Sequence, residues 1–168
     1  NAKQGEINFT NSLIIKGEFA QGEIISGEKL EGDFIKWKLV KGKKTIYPSN
    51  EVHEGNFSDG KLYGPGKITK SNGSIIEGDF LNGSLVKGSI TTGNLDVKFE
   101  GTFKNNKLEG PGKITSKKSK IIEGVFSNGE IISGSITHRS GKVETGTFSN
   151  GKLIAGTIKL PNGTINKI

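Results

Sequence analysis

Apolar and polar residues alternate along this chain in short runs, and glycine interrupts every run. In Ile76-Glu77-Gly78-Asp79-Phe80 the alternation puts Ile76, Gly78 and Phe80 on one face of an extended strand and Glu77 and Asp79 on the other. The Gly-x-Phe part recurs as Gly17-Glu18-Phe19, Gly32-Asp33-Phe34, Gly55-Asn56-Phe57, Gly78-Asp79-Phe80, Gly101-Thr102-Phe103, Gly124-Val125-Phe126 and Gly146-Thr147-Phe148. The steps between these glycines are 15, 23, 23, 23, 23 and 22 residues, and seven of the nine Phe residues stand in this one column, so the chain is a tandem repeat.

Other columns keep the same register. Glu precedes the anchor Gly as Glu31, Glu54, Glu77, Glu100 and Glu123. Five residues after the anchor comes a turn glycine (Gly22, Gly60, Gly83, Gly129, Gly151), preceded by Asn82, Asn128 and Asn150 in three copies. A branched aliphatic follows two residues later (Ile24, Leu62, Leu85, Ile131, Leu153), and then Gly-x-Ile, as in Gly66-Lys67-Ile68, Gly88-Ser89-Ile90, Gly112-Lys113-Ile114, Gly134-Ser135-Ile136 and Gly156-Thr157-Ile158. Asn-Gly is a hairpin signal because both residues tolerate positive φ. A second turn signal falls about twelve residues on, in Ser71-Asn72-Gly73, Thr92-Gly93-Asn94, Ser140-Gly141 and Pro161-Asn162-Gly163. Each repeat is therefore predicted to be one β-hairpin, and no helical period survives the glycines. The predicted fold is all-β: an elongated, single-layer antiparallel β-meander of tandem hairpins. The Phe and Ile columns are expected to pack over the Gly columns, with the sheet curling to keep that face dry.

Composition agrees with a thin, repeated core. Gly accounts for 26 of 168 residues and the hydrophobic fraction is only 31%, little for one large globule. There is no Gly-X-Y period, which excludes collagen. Cys is absent, which excludes disulfides and thiolate metal sites. No apolar run approaches the length of a membrane-spanning helix, and no signal peptide is evident. The absence of Met is read as a processed or excised chain, and Asn1-Ala2 as a candidate cloning scar without weight in the fold. The expected organisation is residues 1–14 as an N-terminal segment or first strand, 15–160 as about seven repeats, and 161–168 as a C-terminal strand or cap. The net charge of +7 reads either as a solvated, soluble surface or as attraction to an anionic partner.

The run Glu54-Gly55-Asn56-Phe57-Ser58-Asp59-Gly60-Lys61-Leu62-Tyr63-Gly64-Pro65-Gly66-Lys67-Ile68 resembles the MORN repeat (membrane occupation and recognition nexus), a 23-residue unit with a core like Y-E-G-x-[FW]-x-N-G-x-x-x-G-x-G. Glu100 to Ile114 matches similarly, with Asn106 at the turn Gly, and the resemblance covers residues from about 15 to 160. Two columns depart. The family's Tyr is replaced by Leu30, His53, Ile76, Phe99 and Ile122, which weakens any aromatic-lined groove. Gly88, Gly134 and Gly156 stand alone where the family has a double Gly, one residue closer to the turn. The resemblance implies an antiparallel β-meander with a groove, and roles in scaffolding, dimerisation or phospholipid contact.

A search for chemistry finds little. His53 and His138 lie in different repeats, with packing expected for the first and a solvated loop for the second, so no metal site is predicted. Gly66-Lys67 and Gly112-Lys113 fail as phosphate loops, because Ile follows each Lys and the first Gly of the motif is missing. The Glu column is structural, since a column repeated identically in five units does not define one active site. Asn56, Asn82 and Asn162 begin N-x-Ser/Thr sequons, of which the Asn-Gly-Ser/Thr ones at Asn82 and Asn162 arise from turn chemistry. Lys117-Lys118-Ser119-Lys120 reads as a solvated hairpin tip.

One repeat breaks the pattern. Trp37, the only Trp, replaces the turn Gly within Lys36-Trp37-Lys38-Leu39-Val40-Lys41-Gly42-Lys43-Lys44. Either Trp37 with Lys36, Lys38, Lys41, Lys43 and Lys44 forms a contact point for a protein or anionic partner, or Trp37 covers an apolar end of the repeat stack. No catalytic, cofactor or metal residues are assigned. The expected function is a non-enzymatic binding or scaffolding module with an unidentified protein partner. The alternatives are peripheral binding to anionic lipid through the basic turns, and an accessory repeat domain of a larger enzyme. Self-association through unpaired sheet edges is a further partner mode. Nucleic acid is disfavoured, because Lys is diffuse and aromatics are 7%. The sequence assigns no compartment.

Overall fold

The computed structural model of the protein describes residues 3–10, 12–94 and 96–168. Asn1-Ala2, set aside above, lie outside the described residues. Two compact lobes form, Asn1–Leu85 and Val86–Ile168. The described residues are strands and turns, with no helix among them. The N-terminal lobe holds β1 (Lys3–Thr10), β2 (Leu13–Ala20), β3 (Glu23–Ile35), β4 (Lys38–Tyr47), β5 (Glu51–Ser58), β6 (Lys61–Thr69) and β7 (Ile75–Leu81). Strand β8 (Ser84–Thr91) begins at the lobe boundary. The C-terminal lobe continues with β9 (Val97–Lys104), β10 (Lys107–Ser116), β11 (Lys120–Ser127), β12 (Glu130–His138), β13 (Val143–Ser149), β14 (Lys152–Lys159) and β15 (Ile165–Lys167). Within each lobe every strand pairs antiparallel with its neighbours in the chain, which is the all-β meander of hairpins predicted from the repeat.

The anchor turns take two consecutive residues with positive φ, as in Asn82 (51°) and Gly83 (80°), or Asn128 (50°) and Gly129 (86°). This geometry matches the right-handed twist of the flanking strands, so the Asn-Gly signal reads true. The 15-residue first step also has a cause. β3 serves two hairpins at once: its Gly27 faces Gly17 of β2 and its Gly32 faces Gly42 of β4. One strand and one turn are thereby missing from that repeat, so the expectation of a separate hairpin for each repeat fails there.

The Gly columns meet one another across the sheet. In the C-terminal lobe Gly88, Gly101, Gly112, Gly124, Gly134, Gly146 and Gly156 face each other in sequence. A Cβ on Gly134 would sit 2.2 Å from the Glu123 carbonyl oxygen and 2.6 Å from the Gly124 Cα. The predicted ring-over-glycine packing is present but secondary: at Gly112 a Cβ would meet the Leu108 side chain at 3.1 Å and the Phe126 ring at 3.4 Å. The first demand on the column is close approach of two backbones.

Past the Gly pair inside a hairpin the second strand carries extra residues, whereas pairs between hairpins, such as Gly112 and Gly124, stay in register. Val125 faces Ser133 and Phe126 faces Ile131, which leaves Ile132 unpaired; Ile25, Val40 and Ile154 are extruded in the same way. Where the sequence has Gly-Pro-Gly the bulge is longer by one residue, with Asn56 opposed by Tyr63, Gly64 and Pro65 and Thr102 by Glu109, Gly110 and Pro111. Bulges bend the strand and sharpen its twist. The bend lets the tip of one hairpin reach the one before it: the Gly83 amide donates to the Leu62 carbonyl and the Gly129 amide to the Leu108 carbonyl, both at 2.9 Å. In each lobe the core is one thin layer, with Phe57 and Phe80 buried beside Leu62 and Leu85 in the first and Phe103, Phe126 and Phe148 beside Leu108 and Ile131 in the second.

Candidate functional site

The aberrant repeat builds a cleft. Lys36 (φ 50°) and Trp37 (φ 62°) form the β3–β4 turn, and Trp37 takes a left-handed position that the other repeats give to Gly or, at Asn106, to Asn. Trp37 is 63% exposed, and β1 and β2 precede its hairpin in the lobe, so it does not cover an end of the strand order. It borders a cleft of about 250 Å³ lined by Lys16, Glu28, Leu30, Lys38, Leu39, Lys44, Phe57, Asp59 and Gly60. Leu30, Leu39 and Phe57 are buried beneath it.

Lys44 is the second departure in the same place. Gly42-Lys43-Lys44 aligns with Gly66-Lys67-Ile68, so a cation stands in the core Ile column. Lys44 is 9% exposed and lies across from Leu30 and His53. Its Nζ donates to the Gly60 carbonyl at 2.8 Å and lies 3.4 Å from Glu28 Oε1. At the rim Lys38 Nζ donates to Asp59 Oδ1 at 2.9 Å, and this bond with the Lys38 charge holds the Asp59 carboxyl below the ordinary carboxylate range. Lys16 lies 3.6 Å from Glu6, outside the lining. The corresponding cleft of the C-terminal lobe, about 310 Å³, has Gly129 where the first has Trp37 and Ile136 where it has Lys44. Its floor is Ile114, Ile122, Phe126 and Ile131. The two clefts therefore differ in chemistry at the two positions where the repeat was broken.

Of the six residues singled out from sequence, Trp37, Lys38 and Lys44 share the cleft. Lys41 and Lys43 alternate onto the opposite face of β4, where Lys41 faces Asp33 and Lys43 faces both Glu31 and Glu54. Lys36 stays in the exposed turn. The Glu column is accounted for by the same ladder: Glu31, Lys43, Glu54, Lys67 and Glu77 face each other in turn across five strands, and Glu100, Lys113 and Glu123 repeat the pattern. Opposite charges directly across a ladder stabilise it by about 0.2–1 kcal/mol a pair. Glu28, Lys16 and the burial of Lys44 escaped the sequence reading, although the broken Ile column at Lys44 was a usable signal.

Trp37→Gly is expected to stabilise the fold. Relief of a left-handed bulky residue is worth about 1–2 kcal/mol, against about 0.5–1 kcal/mol of added chain freedom from Gly. A melting midpoint higher by roughly 2–4 °C is the expected reading, and an unchanged or lower midpoint would show that Trp37 earns its place by packing.

The histidines sit in local polar contacts. His53 Nε2 lies 2.6 Å from Glu51 Oε1. His138, expected in a solvated loop, ends β12 with its Nε2 3.0 Å from Glu144 Oε2, while Lys142 Nζ donates to Glu144 Oε1 at 2.6 Å. The Lys142 and His138 bonds pull the Glu144 pKa below the ordinary 4.5. A lowered carboxylate pKa contributes stability that is complete above the unfolded value and lost as pH falls through the folded one. Glu144→Gln should therefore cost about 1 kcal/mol at neutral pH and flatten the stability profile below pH 4.5. Paired urea melts of wild type and variant across that range measure it. Among the described residues no His, Asp and Glu side chains cluster to hold a metal ion, and no helix is long and apolar enough to cross a membrane.

Comparison with known families matches the MORN repeat at residues 53–75 and 99–119. No curated protein matches the chain. The two matched segments are the repeats with Gly-Pro-Gly and the longer bulge. The repeats anchored at Gly17, Gly32, Gly124 and Gly146 carry the same Gly ladder, Phe column and positive-φ turns on a bulge one residue shorter. Two repeats thus match the MORN-repeat family in full pattern, and the others are degenerate copies of the same pattern.

Proposed function

We propose that the protein is a non-enzymatic binding module that recognises a protein partner through the Trp37–Lys44 cleft. One observation carries this reading: two departures from the repeat, each unfavourable to the fold, converge on one cleft. Bulky residues in the left-handed region and buried cations are retained where something other than folding uses them. An exposed aromatic beside a desolvated cation is the pattern of an interaction hot spot.

Affinity capture followed by crosslinking, with wild type beside Trp37→Gly, tests the reading. Retention of a partner by wild type and its loss from the variant is the expected result. Capture that ignores both Trp37→Gly and Lys44→Ile would place any binding elsewhere and reject it. Attraction to anionic lipid is the weaker reading, because Lys41 and Lys43 face carboxylates across the ladder rather than forming a free basic surface. Co-sedimentation with acidic vesicles that is indifferent to lipid charge and salt would remove it.

A further inference from the structure

The charge and size of the cleft narrow the partner group, and this step rests on the binding reading above. Among its lining side chains Lys16, Lys38 and Lys44 are cations and Glu28 and Asp59 are anions, one positive charge in excess. Glu6 approaches Lys16 at 3.6 Å, but both side chains are more than two-fifths exposed and the pair is screened. The cation set deepest is Lys44, held by a neutral carbonyl and at 3.4 Å by Glu28, which is itself 44% exposed. A tighter carboxylate can replace so loose a counter-ion at low cost. Around Lys44 stand apolar walls, Leu30, Leu39 and Phe57, with the indole of Trp37 at the mouth. At about 250 Å³ the cleft lies below the ~300–1,000 Å³ usual for small-molecule sites, so it suits a single residue.

We infer that the cleft takes the C-terminal residue of a partner protein, with a free carboxylate on Lys44 and a bulky apolar side chain against Trp37, Leu39 and Phe57. A chain terminus supplies both groups from one residue, whereas an internal acidic side chain must borrow its apolar partner from two positions, about 7 Å, along an extended peptide, farther than a cleft for a single residue spans. The single negative charge of the terminus balances the cleft. Lys38 sits at the rim, where it can turn from Asp59 toward the incoming group.

The test uses fluorescence anisotropy with a labelled Gly/Ser-rich octapeptide ending in Phe, offered as the free acid and as the C-terminal amide, with 3-phenylpropanoate as a competitor. The full chain should bind the acid about tenfold or more tightly than the amide, and more tightly than the free phenyl acid. Lys44→Ile, which restores the residue of the Ile column and so preserves folding, should abolish the preference for the acid. Lys41→Met, on the opposite face, should keep it. Equal binding of acid and amide, or an acid preference that survives Lys44→Ile, would overturn the proposal. So would a phenyl acid that competes as well as the peptide, which would make the cleft a small-carboxylate site. Acidic vesicles that bind wild type and Lys44→Ile alike, with no peptide binding, would also overturn it. A partner captured through Trp37 despite a failed peptide would leave the binding module standing and remove only the end-group recognition.

Discussion

Gly134→Ala is expected to lower stability by about 3–5 kcal/mol, enough to unfold the repeats around it. Gly134 has φ 140°, a region that L side chains rarely enter. The added Cβ would lie 2.2 Å from the Glu123 carbonyl oxygen and 2.6 Å from the Gly124 Cα. Both obstacles are backbone atoms, so no side chain can rotate away. Conformational strain of about 1–3 kcal/mol adds to about 1–3 kcal/mol for parting two paired strands. Gly151→Ala is the control. It has φ 73° in a turn, and its Cβ meets nothing within 4 Å, so about 1 kcal/mol of left-handed cost is all it should show. Urea melts of the two variants give the comparison. Equal midpoints would mean that backbone approach is not what the Gly column serves.

Phe126→Ala should cost about 3–5 kcal/mol, because Phe126 is 2% exposed and the thin core has no second layer to refill the space. The ring lies over Gly112 and beside Ile131, so its loss opens the contact between successive hairpins. Trp37→Ala, at an aromatic that is 63% exposed, should move stability by only about 0.5 kcal/mol. In a repeat array each unit leans on its neighbours, so the damage should be local first. Amide exchange is expected to rise in β10 to β12 before it rises in β13 to β15. Exchange that rises uniformly across the C-terminal lobe would contradict the nearest-neighbour picture. The pair of aromatics thus separates what the fold needs from what it tolerates.

The fold was readable because each repeat states its strand alternation and its turn chemistry several times over. A single Ile76-Glu77-Gly78-Asp79-Phe80 is ambiguous, but the same columns in seven registers are not. Three features were not readable. The 15-residue first step arises because β3 belongs to two hairpins, and only strand pairing reveals that. The single Gly of Gly88, Gly134 and Gly156 stands one residue closer to the turn, and the letters do not say what that does to the backbone. At Gly134 and Gly156 it marks a bulge shorter by one residue; in the longer bulges Gly66 and Gly112 continue the ladder and Gly64 and Gly110 fill the extra position at φ 72° and 80°. The basic cluster around Trp37 looked like one patch. Strand alternation sends Lys41 and Lys43 to a charge ladder and turns Lys44 inward.

By itself the sequence determined the strand period, the turn positions, the absence of thiol chemistry and the one repeat that is unlike the others. These are local properties, written within a few residues of one another and repeated down the chain. Only the tertiary structure decided which departures meet. Trp37 and Lys44 are separated by most of a strand, and Lys16, Glu28 and Asp59 come from other strands and turns. Their gathering depends on bulge length and strand register, which set how far each strand bends and which face a residue joins. A shift of one residue in register reverses the face, so the letters alone do not place the cation of Lys44 in one cleft with the indole of Trp37.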